Sequence, residues 1–172
     1  MASPAYMSVT GEKQGLITSG VSTPESVGKS FQIEFADMAM VQAVSHEVMR
    51  PIDAQSGQPT GLREHKPFVV TKGFDKASPL LMAALCSGEP ITKVEIHWYR
   101  SVGAGQQHYY TTTLEDAVIV RIKDYMYNCQ DPATSHFAQL EDVHFSYRKI
   151  TWTNLASSTS GHDDWRNPVL VG

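Results

Sequence analysis

Seven histidines, the run SGHDDW at 160–165 and the adjacent pair Glu141–Asp142 are the residues whose types could carry chemistry in this chain. Ser160, His162, Asp163 and Asp164 supply the residue types of a nucleophile, a base and its orienter. Such sets are assembled from distant segments, because consecutive residues do not converge on one point. A turn rich in Ser, Gly and Asp is the expected state of 160–164. Glu141 and Asp142 are neighbours on a strand, face opposite sides and cannot act as one acid–base pair. His97 and His108 flank a short loop and can approach across a hairpin. A metal site needs further ligands, and no nearby Cys or carboxylate offers an obvious third. The chain has no GxSxG, no phosphate-binding GxxxxGK, no HExxH and no GxGxxG. GAG at 103–105 lies between strands, not between a strand and a helix. The aromatic residues Trp98, Tyr99, Tyr109, Tyr110 and Tyr125 could stack on bases. A net charge of −4, from 14 basic and 18 acidic residues, with no basic stripe, argues instead for core and subunit packing. The reading is therefore of a non-enzyme with no catalytic, cofactor-binding or metal-ligating residue and no nucleic-acid partner.

The elements that place these residues read as strands. Val, Ile and Thr number 15, 8 and 13 against only 9 Leu, a balance that favours sheet over helix bundle. In KVEIHWYR (93–100), Val94, Ile96 and Trp98 alternate with Lys93, Glu95, His97 and Tyr99. In 116–126, Val118, Val120 and Ile122 alternate with Ile119, Arg121 and Lys123. In 141–149, Val143, Phe145 and Tyr147 alternate with Asp142, His144, Ser146 and Arg148. These nine apolar residues are the predicted core. SVGAGQ (101–106) joins two alternating runs as an antiparallel hairpin. Further strands are predicted at 4–11, 41–50 and 65–75. One helix is predicted at about 78–87, capped by Ser78, with Pro79 in its first position and Gly88 as its stop. The segments 51–64 and 155–172 read as a long polar loop and a tail, and such loops are more often functional than idle. The expected architecture is mainly β: one domain over 1–172, a closed antiparallel β-barrel of two sheets with one short flanking helix. The longest nearly uninterrupted apolar stretch, 79–86, is far short of the roughly 20 residues a spanning helix needs, so no membrane insertion is expected. The opening residues show no basic segment followed by an apolar one. Cys86 and Cys129 read as free thiols.

Several blocks, in order, carry a resemblance: SVTGEKQGLITSG (8–20), HKPFVVTKGFDKASPLLMAALCSGE (65–89), KVEIHWYR (93–100), HYYTTTLEDAVIVRI (108–122), FSYRKITWTN (145–154) and SGHDDWR (160–166). The chain resembles the haemolysin-coregulated protein (Hcp) family, the inner-tube proteins of the bacterial type VI secretion system. Asn154 stands where the resemblance leads one to expect histidine.

The resemblance implies a structural role. Hexameric rings stack into a hollow tube, which a contractile sheath expels. The partners it implies are further copies of the chain, the spike protein, the sheath and baseplate, and effector proteins in the lumen. It also implies a bacterial cytoplasmic origin and secretion without a signal peptide. On this reading Gln55, Ser56, Gly57 and Gln58 reach the next ring. Ser157, Ser158, Thr159 and Trp165 form a second stacking or tail-docking surface. Two other classes remain alternatives. One is a small hydrolase built on His162 or His144. The other is a monomeric β-barrel binding module with a roomy interior, against which the bulk of Trp98 and Phe145 speaks.

Overall fold

The structure is a computed structural model that describes residues 2–166; the part of the predicted tail at 167–172 lies outside the described residues. Ten strands carry the fold: β1 (Ala5–Gly11), β2 (Gly15–Leu16), β3 (Ala39–Ser45), β4 (Val48–Met49), β5 (Glu64–His65), β6 (Phe68–Gly73), β7 (Ile91–Val102), β8 (Gly105–Tyr125), β9 (Leu140–Asn154) and β10 (Thr159–Asp164). The helices are α1 (Pro24–Val27) and α2 (Ser78–Ser87), with 3-10 turns at Gly28–Ser30 and Ile33–Phe35. One sheet runs β10-β9-β6-β3-β1-β7-β8, with β2 on β1, and β8 pairs back onto β9. The pairing thus closes into a ring of six antiparallel strands. The two sheets expected from sequence are one continuous sheet, and β4 with β5 forms a separate small ribbon. Closure leaves long free edges nowhere within the ring.

The ring is filled by side chains. Met7, Val9, Val70, Val94, Ile96, Leu114, Val143, Phe145 and Ile150 have no exposure, and Tyr147 and Ile119 have 3%. Trp98 and Ile122 pack against this cluster from a partly buried position, and Trp98 Nε1 donates to Thr112 Oγ1 at 3.1 Å. Val118 and Val120 depart from expectation: they are 36% and 47% exposed and point outward. Strict alternation fails on β8 for two reasons. Asp116 takes a positive φ of 49°, and the inward set passes from Thr112 and Leu114 to Ala117 and Ile119. Val120 is then an extra residue, since Ile119 pairs with Phe145 and Arg121 with His144. A bulge of this kind resets which side of the sheet each residue faces.

Helix α2 begins at Ser78, but its N-cap is Ala77 and Ser78 caps nothing. Its hydroxyl instead donates to Glu141 Oε1 at 2.8 Å. Gly88 ends the helix in the left-handed region (φ 68°), returning its N–H to the carbonyls of Ala84 and Leu85. The predicted 41–50 strand breaks at His46 into β3 and β4, and the predicted 101–106 loop shrinks to residues 103–104. Part of the C-terminal loop is a strand: β10 pairs residue for residue with β9, from Thr159 opposite Asn154 to Asp164 opposite Lys149. Cys86 and Cys129 are free and exposed. Among the described residues no helix is long and apolar enough to cross a membrane.

One buried cluster is polar. Lys72 sits on the inward side of β6 with no exposure, its ammonium bound to Asp75 Oδ1 (3.0 Å), to Glu141 Oε1 and to the carbonyl of Gly73 (3.2 Å). It ties β6, the start of α2 and β9 together. Removing one member of such a cluster strands the others without a partner, which costs about 3–5 kcal/mol. Lys72→Met is therefore expected to lower the denaturation midpoint sharply in equilibrium unfolding. Adding Glu141→Leu to it should recover part of the loss.

Candidate assembly surfaces

The segment between β4 and β5 leaves the barrel as an arm whose tip is built locally. Asp53 organises it: its carboxylate accepts the N–H groups of Gln55 (3.3 Å) and Ser56 (3.1 Å) and the Ser56 hydroxyl (2.6 Å). These bonds hold the Asp53 carboxyl below its ordinary range, the Ser56 hydroxyl foremost. Asp53 N–H donates to the carbonyl of Gln58 (2.8 Å), and Gly57 N–H donates to the carbonyl of Asp53 (2.8 Å). Gly57 turns the chain at φ 69°, a conformation that disfavours side chains. Ile52 bridges Pro59 across the arm. Gln55, Ser56, Gly57 and Gln58 thus form an exposed tip with defined hydrogen bonds rather than a structureless loop.

The root of the arm is clasped to the barrel. Arg63 grips Asp163 with Nε to Oδ2 at 2.8 Å and Nη2 to Oδ1 at 3.0 Å, and Nη2 also donates to the Asp164 carbonyl at 2.9 Å. Two parallel N–H bonds to one carboxylate fix orientation as well as distance. His65 meets Asp163 Oδ2 at 2.6 Å through Nε2 and the Tyr147 hydroxyl at 2.7 Å through Nδ1. His46 meets the same hydroxyl at 2.7 Å. Arg63 first, then His65, holds the Asp163 carboxyl below its usual range, against the opposing effect of burial. Burial, then the charge of Asp163, pushes the Tyr147 phenol well above its ordinary value, so it stays protonated.

Trp165 belongs to this root. Its ring lies 5.3 Å from His65 and 6.0 Å from Tyr147, and its backbone N–H donates to the Arg148 carbonyl at 3.0 Å. Ser157 and Ser158 lie in the β9–β10 turn, with Thr159 beginning β10; Ser158 has φ 55° and Ser157 N–H donates to Asn154 Oδ1 at 3.0 Å. A strand the length of β10, about 20 Å, separates that turn from Trp165. The four residues grouped from sequence therefore lie at two places, and Trp165 joins the arm. None of Arg63, His65, His46 and Tyr147 was singled out for this role by the sequence. Only the His and Asp content of 160–165 pointed near it.

The outer wall of the ring is mixed. Lys93, Glu95 and His97 all lie outward, with Lys93 bound to Glu95 at 2.9 Å and Lys149 to Glu115 at 3.3 Å. Thr111, Thr113, Thr151 and Thr153 stand opposite one another across β8 and β9 on the same wall. The His97 and His108 rings stack at 4.3 Å, and burial, then the neighbouring His108, lowers the His97 pKa. Among the described residues no three His, Cys, Asp or Glu group closely enough to hold a metal ion. On β10, His162 is exposed, while Asp163 and Asp164 are committed to Arg63 and Arg148. Glu141 points inward to Lys72, whereas Asp142 points outward to Thr71 and Tyr125.

Arg63→Leu is expected to speed proteolytic nicking within 50–63 while far-UV circular dichroism stays unchanged. The Asp163 carboxyl, held low by its partners, contributes stability above the unfolded carboxylate pKa near 4. That contribution is lost as pH falls through the depressed folded value, and Arg63→Leu should shrink the acid-side loss of protection.

The family model described as "Type VI secretion system effector, Hcp" matches residues 6–154. A protein named "Major exported protein" from Pseudomonas aeruginosa is 68% identical over 170 residues, covering 98% of this chain and 99% of that one. A crystal structure of an Hcp protein superposes with a TM-score of 0.90 at 46% identity, over 95% of this chain and 100% of the other. The secreted protein Hcp3 from Pseudomonas aeruginosa does so with a TM-score of 0.80 at 58% identity, over 96% and 100%. Fold and sequence thus agree over nearly the whole chain, and this chain belongs to the Hcp family of the type VI secretion system.

Proposed function

We propose that the protein is a structural tube subunit: copies meet side by side in hexameric rings, and rings stack into the hollow inner tube that a contractile sheath expels. The observation that carries this reading is the arm, with an ordered polar tip held away from a packed barrel by a charged clasp at its root. A tip of Gln55, Ser56, Gly57 and Gln58 suits a modest, wet contact between rings that form and later separate. Outward Val118 and Val120 suit cover by a neighbouring copy, since a closed ring is built from unlike patches that meet repeatedly. The filled barrel supports a role on the surface rather than a ligand-binding interior. The spike, sheath, baseplate and lumenal effectors are the partners on this reading. Synthesis in the bacterial cytoplasm precedes export through the type VI system, and no catalytic step is assigned.

Sedimentation of the purified chain is expected to give a particle near six times the 19.0 kDa protomer mass; a particle at the protomer mass at high concentration overturns the reading. Deleting 53–61 should leave single rings intact and shorten or abolish stacks seen by negative-stain microscopy. Loss of the rings themselves would sink the assignment of the arm to stacking.

A further inference from the structure

Two imidazoles share one phenol at the root of the arm. His46 Nε2 and His65 Nδ1 each lie 2.7 Å from the Tyr147 hydroxyl oxygen, and His65 Nε2 lies 2.6 Å from Asp163 Oδ2. Asp163, held ionised by Arg63, can only accept hydrogen bonds. His65 Nε2 therefore carries a hydrogen. In neutral His65 the remaining Nδ1 is a lone pair, which accepts the Tyr147 O–H. The phenol oxygen in turn accepts from His46 Nε2–H. Every bond in this row is made with both imidazoles neutral.

One added proton fits, since His46 can take it on Nδ1 and leave each bond in place. A second proton, on His65 Nδ1, makes both imidazoles donors toward one hydroxyl. The phenol hydrogen then loses its acceptor, and two cations meet across a single oxygen in a buried place where such repulsion is poorly screened. The surrounding elements supply little relief. His46 faces Tyr147 of β9, His65 of β5 and the Phe68 ring of β6 at 5.0 Å. His65 faces Tyr147, the Trp165 ring and Asp163 of β10, whose charge Arg63 already neutralises. Glu64 is paired with Lys66 at 2.8 Å.

We propose that this row is a proton-limited clasp: the arm stays docked while the His46–His65 pair holds at most one added proton, and mild acid loosens it. The inference rests on reading 50–63 as the stacking arm only for its consequence, which is that stacks weaken in acid. Freed imidazoles titrate near 6.5, so release takes up at least one proton, and docking falls about tenfold or more per pH unit below that value. Burial, then the charge of His65, lowers the His46 pKa, which has the same sign: docking is complete above the free-imidazole value and is lost as pH falls.

Hydrogen exchange on the full-length protein, corrected for intrinsic rate from about pH 7.5 to about pH 5, tests the clasp at the amides of 64–66. In the unmodified protein their protection should fall about tenfold or more per pH unit below about pH 6.5. His46→Gln takes no proton, and its amide can donate to the Tyr147 oxygen or turn to accept the Tyr147 O–H through Oε1 when His65 Nδ1 carries a proton, so its protection should stay flat over that range. Coincident curves, or a flat curve for the unmodified protein, overturn the proposal. Imidazole nitrogen NMR on the unmodified protein gives an independent reading: one of the two rings should titrate while the arm is docked, and titration of both overturns it. Sedimentation of stacks over the same range separates the clasp from its consequence. Protection that falls while stacks persist refutes the stacking role of the arm and leaves the clasp standing.

Discussion

The pairing of β8 with β9 is the constraint on which the rest depends. It runs from Tyr110 opposite Asn154 to Tyr125 opposite Leu140 and joins the two ends of what would otherwise be an open sheet. With that seam closed, the inward side chains of six strands are forced into one enclosed volume, where Met7, Ile96, Leu114, Phe145 and Ile150 have no exposure. The irregularities of the seam fall where it must bend. The positive φ at Asp116 and the bulge at Val120 let a 21-residue strand wrap around the core instead of running straight through it.

Charge serves two separate ends on this frame. Deep in the barrel wall, Lys72 with Asp75 and Glu141 joins helix to sheet with no exposure of the lysine. Buried Glu89 does similar work at the β1–β2 turn, where Oε1 accepts the N–H groups of Lys13 at 2.6 Å and Gln14 at 2.8 Å. At the root of the arm the same residue types sit nearer the surface and run in a directional row from His46 to Arg63. The second arrangement contains two imidazoles, the side chain whose ordinary titration range lies near neutral pH.

Much of this was legible in the sequence where alternation was unbroken. Val94 and Ile96 on β7, and Val143, Phe145 and Tyr147 on β9, lie inward as their period of two requires. The same rule misplaced Val118 and Val120, because a bulge is a backbone event that leaves no mark in the pattern of apolar residues. Lys72 was legible and passed over: it shares parity with Phe68 and Val70, so an inward lysine needing buried acids was already written in that strand. Residues 159–164 read as loop because Ser, Gly and Asp dominate them; they become strand only because β9 offers its free backbone groups alongside. The clasp was out of reach, since His46, His65, Tyr147 and Asp163 meet across separations of up to 101 residues, counted from His46 to Tyr147, and no local spacing encodes such a meeting.

The order in which strands find partners has a consequence for how the protein is made. β1 must wait for β7, some 80 residues later in synthesis, and the seam cannot shut until β9 has left the ribosome. A growing chain therefore exposes half-built, apolar strands for most of its translation, the condition under which aggregation competes with folding. Only a finished chain can close the seam, so the outer wall of the ring exists only once the whole strand order has been made.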